Sequence, residues 1–460
     1  MTDMPALEEL TAALGPDVVT TDPDVMEKYR FDWSKSPAGH PVAVVRANSA
    51  DDVVTAVRWA AKHQVPVVPR GAGSGLSGGS SSVDGGITIS LDRMRKIEID
   101  TASQVAVVEP GALNIEVKAA AAEKGLWYPP DPSSFEICSI GGNVATNAGG
   151  LCCVKYGVTT DYVLGLDVVL ADGTLVTLGG KRIKDVAGLS LLKLFVGSEG
   201  TLGIVTRAIL RLTPPPPPAS TLVAMFPTVA AAAAAVVEVR SMFRPSMVEL
   251  MDQASVNAVE DFTPMDLDRT AGALLVVQSD APGEARVEEI STVRKVCEAT
   301  GATEVFETDD PDEGELFIAA RRTAFTAIEV RGSLLLEDVG VPVPQLPEML
   351  AAVEDIAARH RIEIPTVAHA GDGNTHPIIV YDAADPDSTA RARAAFDEIM
   401  AAAIALGGTI TGEHGVGRAK RHALPDQLGA DVMALTRRVK DALDPAGILN
   451  PGAVIPADAP

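Results

Sequence analysis

The stretch Val65 to Gly79, VPVVPRGAGSGLSGG, constrains the fold more than any other part of the chain. A short β-branched run enters a loop holding Gly71, Gly73, Gly75, Gly78 and Gly79, five glycines in nine residues. Glycine removes the Cβ and admits positive φ, so successive backbone N–H groups can converge on an anion. Gly73-Ser-Gly75-Leu-Ser-Gly78 also satisfies G-x-G-x-x-G, but that fingerprint needs a helix next, with its N-terminus on the pyrophosphate. Here Ser80-Ser-Ser-Val-Asp-Gly-Gly leads into Ile87-Thr-Ile-Ser-Leu91, which alternates as a strand does. The pattern therefore argues against a Rossmann unit and predicts strand, diphosphate cradle, strand. Glycine content alone favours a flexible surface loop; the later stretches reverse that.

A chain of 460 residues exceeds one ordinary core and predicts two or three domains. Its net charge of −24, from 38 basic against 62 acidic residues, argues against nucleic acid and against an anionic membrane surface. It does not exclude an anionic small substrate, because local arginines dominate a pocket. Four cysteines without C-x-x-C spacing predict reduced thiols and a cytoplasmic location. The start, MTDMPALEELTAAL, lacks the basic-then-apolar order of a signal peptide, and no stretch predicts a transmembrane segment. Membrane contact is expected only through a partner.

Ser49-Ala-Asp-Asp52 resembles a capping box and opens a predicted helix ending near His63. Strand-like runs follow at 97–99 and 105–108, then an alanine-rich helix from Asn114 to Gly125. The second glycine-rich stretch, Ser139-Ile-Gly-Gly-Asn-Val-Ala-Thr-Asn-Ala-Gly-Gly150, suits either close approach of a bulky planar group or a tight turn. Asp167 to Thr174 reads as a strand entering an Asp-Gly turn, and Gly197 to Gly203 as a third small-residue turn before a strand over 204–212. Five prolines, Pro214 to Pro218, form a stiff spacer. The expected division is 1–218, a cap domain 219–410, and a segment 411–460 returning to the first domain. Beyond the prolines, strands at 220–226, 246–251, 272–279 and 303–307 with helices at 229–243 and 284–299 predict a ferredoxin-like layer. Acidic Asp309 to Glu313 reads as a solvated loop. Further helices are expected at 314–328, 346–360 and 386–405.

His369-Ala-Gly-Asp-Gly-Asn-Thr-His376 places two of the chain's seven histidines around a glycine-rich turn between strand-like runs. Two strands leaving such a turn can bring their imidazoles onto one divalent cation. Thr411-Gly-Glu-His-Gly-Val-Gly417 then offers Glu413 and His414. Two His and one carboxylate leave coordination positions open, although H-x6-H is much less specific than H-E-x-x-H, and any one histidine is ordinarily structural. A cation holding a 2-hydroxy carboxylate lowers the hydroxyl pKa, and a neighbouring imidazole accepts the proton. Arg321, in Phe317-Ile-Ala-Ala-Arg-Arg-Thr323, is the candidate fork for the substrate carboxylate; on spacing alone a helix-surface arginine is the better reading.

PRGAGSGLSGG, PPDPSS, SIGGNVATNAGG, KYG, GSEGTLGIVT, HAGDGNTH, GEHGVGR and LDPAGILNPG occur in the order seen in flavin-dependent D-2-hydroxy acid dehydrogenases. The resemblance covers about residues 30–455 and looks closest to the glycolate oxidase D subunit and FAD-linked D-lactate dehydrogenases. It implies an α+β, two-domain FAD-binding fold of the vanillyl-alcohol-oxidase (PCMH) type with the ferredoxin-like cap. It further implies that Pro69, Arg70, Gly71, Ala72, Gly73, Ser74, Gly75, Leu76 and Ser77 bind the FAD diphosphate. Pro130, Asp131, Gly141, Gly142, Thr146, Ala148, Gly149, Gly150, Gly200, Ile204 and Asn450 would line the remaining cofactor. His369, His376 and Glu413 match the family's divalent metal ligands (zinc, with manganese the alternative), His414 its base and Arg321 its substrate arginine. No histidine lies between Arg70 and Ser80, so noncovalent FAD is expected. Apolar Phe325, Leu336 and Ile378 stand where the 2-hydroxyglutarate branch carries polar residues, which favours a monocarboxylate such as D-lactate or glycolate. The electron acceptor (quinone, cytochrome, electron-transfer flavoprotein or oxygen) stays open, as does the choice between a homodimer and a subunit of a larger complex.

Overall fold

The computed structural model describes residues 4–456, which fall into two compact units. The first comprises residues up to Gly149, Val158–Pro215 and the segment from Glu413; the second comprises Gly150–Gly157 and Pro216–Gly412. Residues 150–157 thus belong with the second unit, which no composition shift announces. There Lys155 and Tyr156 both bind the Asp280 carboxylate, and Leu151 packs on Met247 and Ile318.

In the first unit a four-stranded sheet orders Val19–Thr20, Ala43–Arg46, Ile87–Ser90 and Val67–Arg70. The strands on either side of the glycine loop, Val67–Arg70 and Ile87–Ser90, pair in parallel without an intervening helix. The helix Ala50–His63 forms because Val53, Ala56, Val57 and Ala60 recur at helical spacing and all are buried. Each fully buried valine contributes about 1.5–3 kcal/mol. Ser49 caps it by accepting from Asp52 N, but Asp52 reaches back to Asn48 N, one residue before the box position. A second, five-stranded antiparallel sheet runs Ile97–Asp100, Val105–Val108, Ile204–Arg211, Val163–Val169, Leu175–Gly179.

The glycine-rich stretch after Ser139 is not a turn: Ile140–Thr146 is a short helix, capped by Ser139 and held by buried Ile140 and Val144. The tail lies beside the strand feeding the first glycine loop, with Val67 N donating to Ile448 O and Asn450 N to Val67 O. Lys440 Nζ clamps it by donating to Thr201 O, Leu449 O and Asp444 Oδ2.

The second unit is built on an eight-stranded sheet whose first four strands run Glu304–Thr308, Ser220–Phe226, Ala273–Ser279, Met247–Asp252. That order, fourth-first-third-second with every neighbour antiparallel, is the ferredoxin-like arrangement. The sheet continues through Thr366–His369, Asn374–Tyr381 and Ser333–Leu336. One helix lies outside the expected pattern, and one expectation is corrected. A helix not foreseen, Gln253–Phe262, follows the Met247–Asp252 strand directly, with Asp252 as its cap. The acidic run 309–313 is no solvated loop. Asp310 caps the helix Pro311–Glu329, Pro311 opens it, and Asp312 and Glu313 face its positive end.

Candidate functional site

In the first unit the glycine loop has little room for side chains at Gly71, Gly73, Gly78 and Gly79. Gly73 has φ +78°, and a Cβ there would lie 2.1 Å from the Arg70 guanidinium. Ser139 Oγ accepts from Ala72 N at 3.1 Å and Gly142 N at 3.4 Å, so one hydroxyl ties the two glycine-rich stretches together. Gly200 abuts Pro69 so closely that a Cβ would meet the ring at 2.3 Å. Asn450 Nδ2 donates to Gly79 O (2.8 Å) and Glu199 O (2.7 Å). Pro130 O accepts from Asn114, which also donates to Asn143 of the short helix. Pro69, Gly71, Ala72, Ser77, Pro130, Gly142, Gly200 and Asn450 therefore belong to one connected surface, in which Gly71, Gly142 and Gly200 present backbone without a Cβ. Such a surface fits a dinucleotide's diphosphate. Gly150, also expected to line the cofactor, is grouped with the second unit.

The segment from Glu413 docks on that loop through its main chain. Ser77 Oγ donates to His414 O at 3.2 Å, and Arg418 N and Ala419 N donate to Ser77 O at 2.9 and 3.0 Å. Arg418 binds Gly78 O and Asn450 Oδ1. Behind the segment, Glu199 accepts from Val416 N at 2.7 Å and Gly417 N at 2.9 Å. Neither Glu199 nor Arg418 was singled out from the sequence, although an acid inside the small-residue turn GSEGTLG is a signal of its kind.

Burial pushes the Glu199 carboxyl up to about 7 from its ordinary 4.5, against the pull of those two N–H groups and of Arg418. Between these values the unfolded chain has released a proton that the native state still holds. Stability therefore falls as pH rises from 4.5 to 7 and levels off above. Glu199→Gln should remove that component of the slope, and denaturant midpoints measured across the interval check it. An unchanged slope would contradict the assignment.

In the second unit the strands Thr366–His369 and Asn374–Tyr381 form a hairpin with His369 opposite Asn374 and His376 opposite Val367. Both imidazoles therefore project from one face as diagonal neighbours, their ring centroids 5.0 Å apart and edge-on. Both are buried. Each has a buried carboxylate facing its Nδ1: Glu249 Oε1 lies 2.8 Å from His369, and Asp338 Oδ1 3.7 Å from His376, beyond hydrogen-bond length. Two imidazoles with acids behind them have the donor chemistry of a divalent-cation site. Asp338 Oδ2 also accepts from Thr411 Oγ1 (2.7 Å) and Gly412 N (2.9 Å), fixing the turn from which the chain passes into Glu413 and His414. In the first unit, the Glu413 carboxylate and His414 Nε2 are 3.9 Å apart.

Arg321 is not a helix-surface residue. Its side chain is 6% exposed, and its Nε lies 2.8 Å from Glu249 Oε2 as an ion pair, although the N–H is not aligned on the oxygen. Phe325, Leu336 and Ile378 share one apolar cluster, with Leu336 and Ile378 directly paired across strands. Glu249 and Asp338 went unnoticed in the sequence, the first a lone acid in MVELM and the second half of the pair Glu337-Asp338 between apolar runs.

The chain matches the FAD linked oxidases, C-terminal domain, over residues 215–454, and an FAD binding domain over residues 41–179. It is 40% identical to the glycolate oxidase subunit GlcD of Bacillus subtilis, over 98% of this chain and 97% of that protein. It is 34% identical to a D-lactate dehydrogenase of Anaerostipes hadrus, again over 98% and 97%. Among solved structures, p-cresol methylhydroxylase superposes with a TM-score of 0.83 at 19% identity, covering 98% of this chain and 96% of that one. A 4-ethylphenol oxidase from Gulosibacter chungangensis gives 0.80 at 21%, covering 99% and 97%.

Proposed function

Because this chain belongs to the FAD-linked oxidases, we propose that it oxidises a D-2-hydroxy acid of the D-lactate or glycolate class to the 2-oxo acid. The observation that carries this reading is the buried series Arg321, Glu249, His369, with His376 beside it on the same sheet. Arg321 pairs with the substrate carboxylate. His414 accepts the hydroxyl proton, since an imidazole titrates near working pH. FAD, held noncovalently by the glycine cradle, supplies the two-electron acceptor for the hydrogen leaving C2. His369, His376 and Glu413 hold a divalent cation, zinc or manganese, whose chemistry is to acidify the bound hydroxyl.

The apolar cluster of Phe325, Leu336 and Ile378 sets the substrate class. A second carboxylate against it stays unpaired, at about 1–3 kcal/mol, or roughly 5–150-fold in affinity. Anaerobic flavin bleaching with D-lactate, glycolate and D-2-hydroxyglutarate tests this. One of the first two should react at least about fivefold faster, and the reverse order overturns the assignment. Chelation should abolish turnover and Zn2+ or Mn2+ restore it; full activity in metal-free protein removes the cation.

A second reading has its own support, since several relatives are named as subunits. On that reading the chain carries FAD but passes electrons only within a complex. Reduction of an artificial dye by the purified chain alone separates the two. The natural acceptor then lies among quinone, cytochrome and electron-transfer flavoprotein.

A further inference from the structure

We infer that Glu249 is a positioning residue serving both halves of substrate recognition, orienting His369 toward a divalent cation and Arg321 toward the substrate carboxylate. This rests on the reading of His369 and Arg321 given above. The strand Met247–Asp252 pairs antiparallel with Thr366–His369, with Glu249 directly opposite His369. Arg321 comes from the helix Pro311–Glu329, remote in sequence. The Glu249 side chain is 1% exposed, and its two oxygens are divided between these partners at 2.8 Å each.

A carboxylate so deeply buried is tolerated only when paired, and the arginine alone would have met that need. The imidazole adds a function. Donation of Nδ1–H to Oε1 fixes the neutral ring in the tautomer whose Nε2 carries the lone pair, which is the nitrogen a cation takes. Oε2 meanwhile lies 2.8 Å from Nε of Arg321 as an ion pair, which leaves the paired terminal nitrogens of the fork for an incoming carboxylate. Asp338 stands in a similar but looser relation to His376, at 3.7 Å.

The test uses the full FAD-loaded chain, stripped of metal by chelation and titrated with Mn2+ or Zn2+ in wild type, Glu249→Gln, Glu249→Asp and His369→Ala. Glu249→Gln should keep a wild-type flavin spectrum and bind the cation about 10–100-fold more weakly. At saturating cation its kcat should recover while KM for D-lactate stays raised several-fold. A purely structural ion pair would lower thermal stability and leave cation affinity alone. Unchanged affinity in Glu249→Gln, with binding lost in His369→Ala, overturns the role of Glu249 only. Wild-type affinity in His369→Ala overturns the metal reading itself and this proposal with it. Should Glu249→Gln not fold, Glu249→Asp carries the same readouts. Its carboxylate is one methylene too short to serve both partners, so at least a tenfold loss of cation affinity is expected, about the lower bound for lost outer-shell support, and no loss overturns the proposal.

Discussion

Alanine at His414 should leave FAD bound and slow flavin reduction by about 10²–10⁴-fold, the range a positioned general base contributes. The two halves of that expectation come from different atoms of one residue. Its main-chain carbonyl accepts from Ser77 Oγ, and its neighbours Val416, Gly417, Arg418 and Ala419 hold the segment through backbone N–H groups. None of these bonds uses the imidazole, so the segment's seat on the glycine loop survives truncation of the side chain. Mixing the variant anaerobically with D-lactate and following loss of flavin absorbance gives the rate, and the spectrum before mixing gives FAD occupancy. Reduction within a few-fold of wild type would remove His414 as the base. Loss of FAD together with reduction would show that the side chain supports the fold instead.

The parts of this architecture that were legible in the sequence are those with local causes. The Ala50–His63 helix announces itself through a cap and a 3.6-residue apolar period. The four ferredoxin-like strands are short apolar runs separated by helical patterns, and that alternation leaves few ways to order a sheet. What stayed hidden has nonlocal or doubled causes. Ile140–Thr146 carries two glycines and an asparagine, and becomes helical because the core takes up Ile140 and Val144. Gln253–Phe262 has no turn before it because Asp252 ends the strand and caps the helix at once. In the helical span Leu424–Leu443, Gly429 at φ 76° breaks the period.

The candidate site divides the same way. Histidines are rare and flank a glycine turn, so His369 and His376 stand out in the sequence. Glu249 and Glu199 do not, because the groups that give them meaning lie 120 residues from the first, and 217 and 218 residues from the second. Arg321 was ambiguous for a related reason. Helical spacing tells which residues share a face, but not that an acid from a distant strand waits beneath it.

Gly417→Ala should strip FAD from the protein while Gly85→Ala should not, although both glycines lie at positive φ, +50° and +71°. The left-handed conformation costs a non-glycine residue about 1–2 kcal/mol, and both variants bear it. Their surroundings differ. Among the described residues nothing lies within 4 Å of a Cβ at Gly85, whereas one at Gly417 would meet Ser77 O at 2.1 Å and Ser77 C at 2.6 Å. Those are backbone atoms of the cradle, so the rotation of a flexible side chain cannot relieve the overlap. Either the cradle shifts or the 416–419 segment lifts away, and lifting breaks the bonds from Arg418 N and Ala419 N to Ser77 O and from Gly417 N to Glu199. Losing even one such bond with its partners buried costs about 1–3 kcal/mol, equivalent to about 5–150-fold in FAD affinity. Titrating FAD into the two apo-variants measures the difference directly. Equal affinities would mean that the segment's contact with the glycine loop plays no part in holding the cofactor.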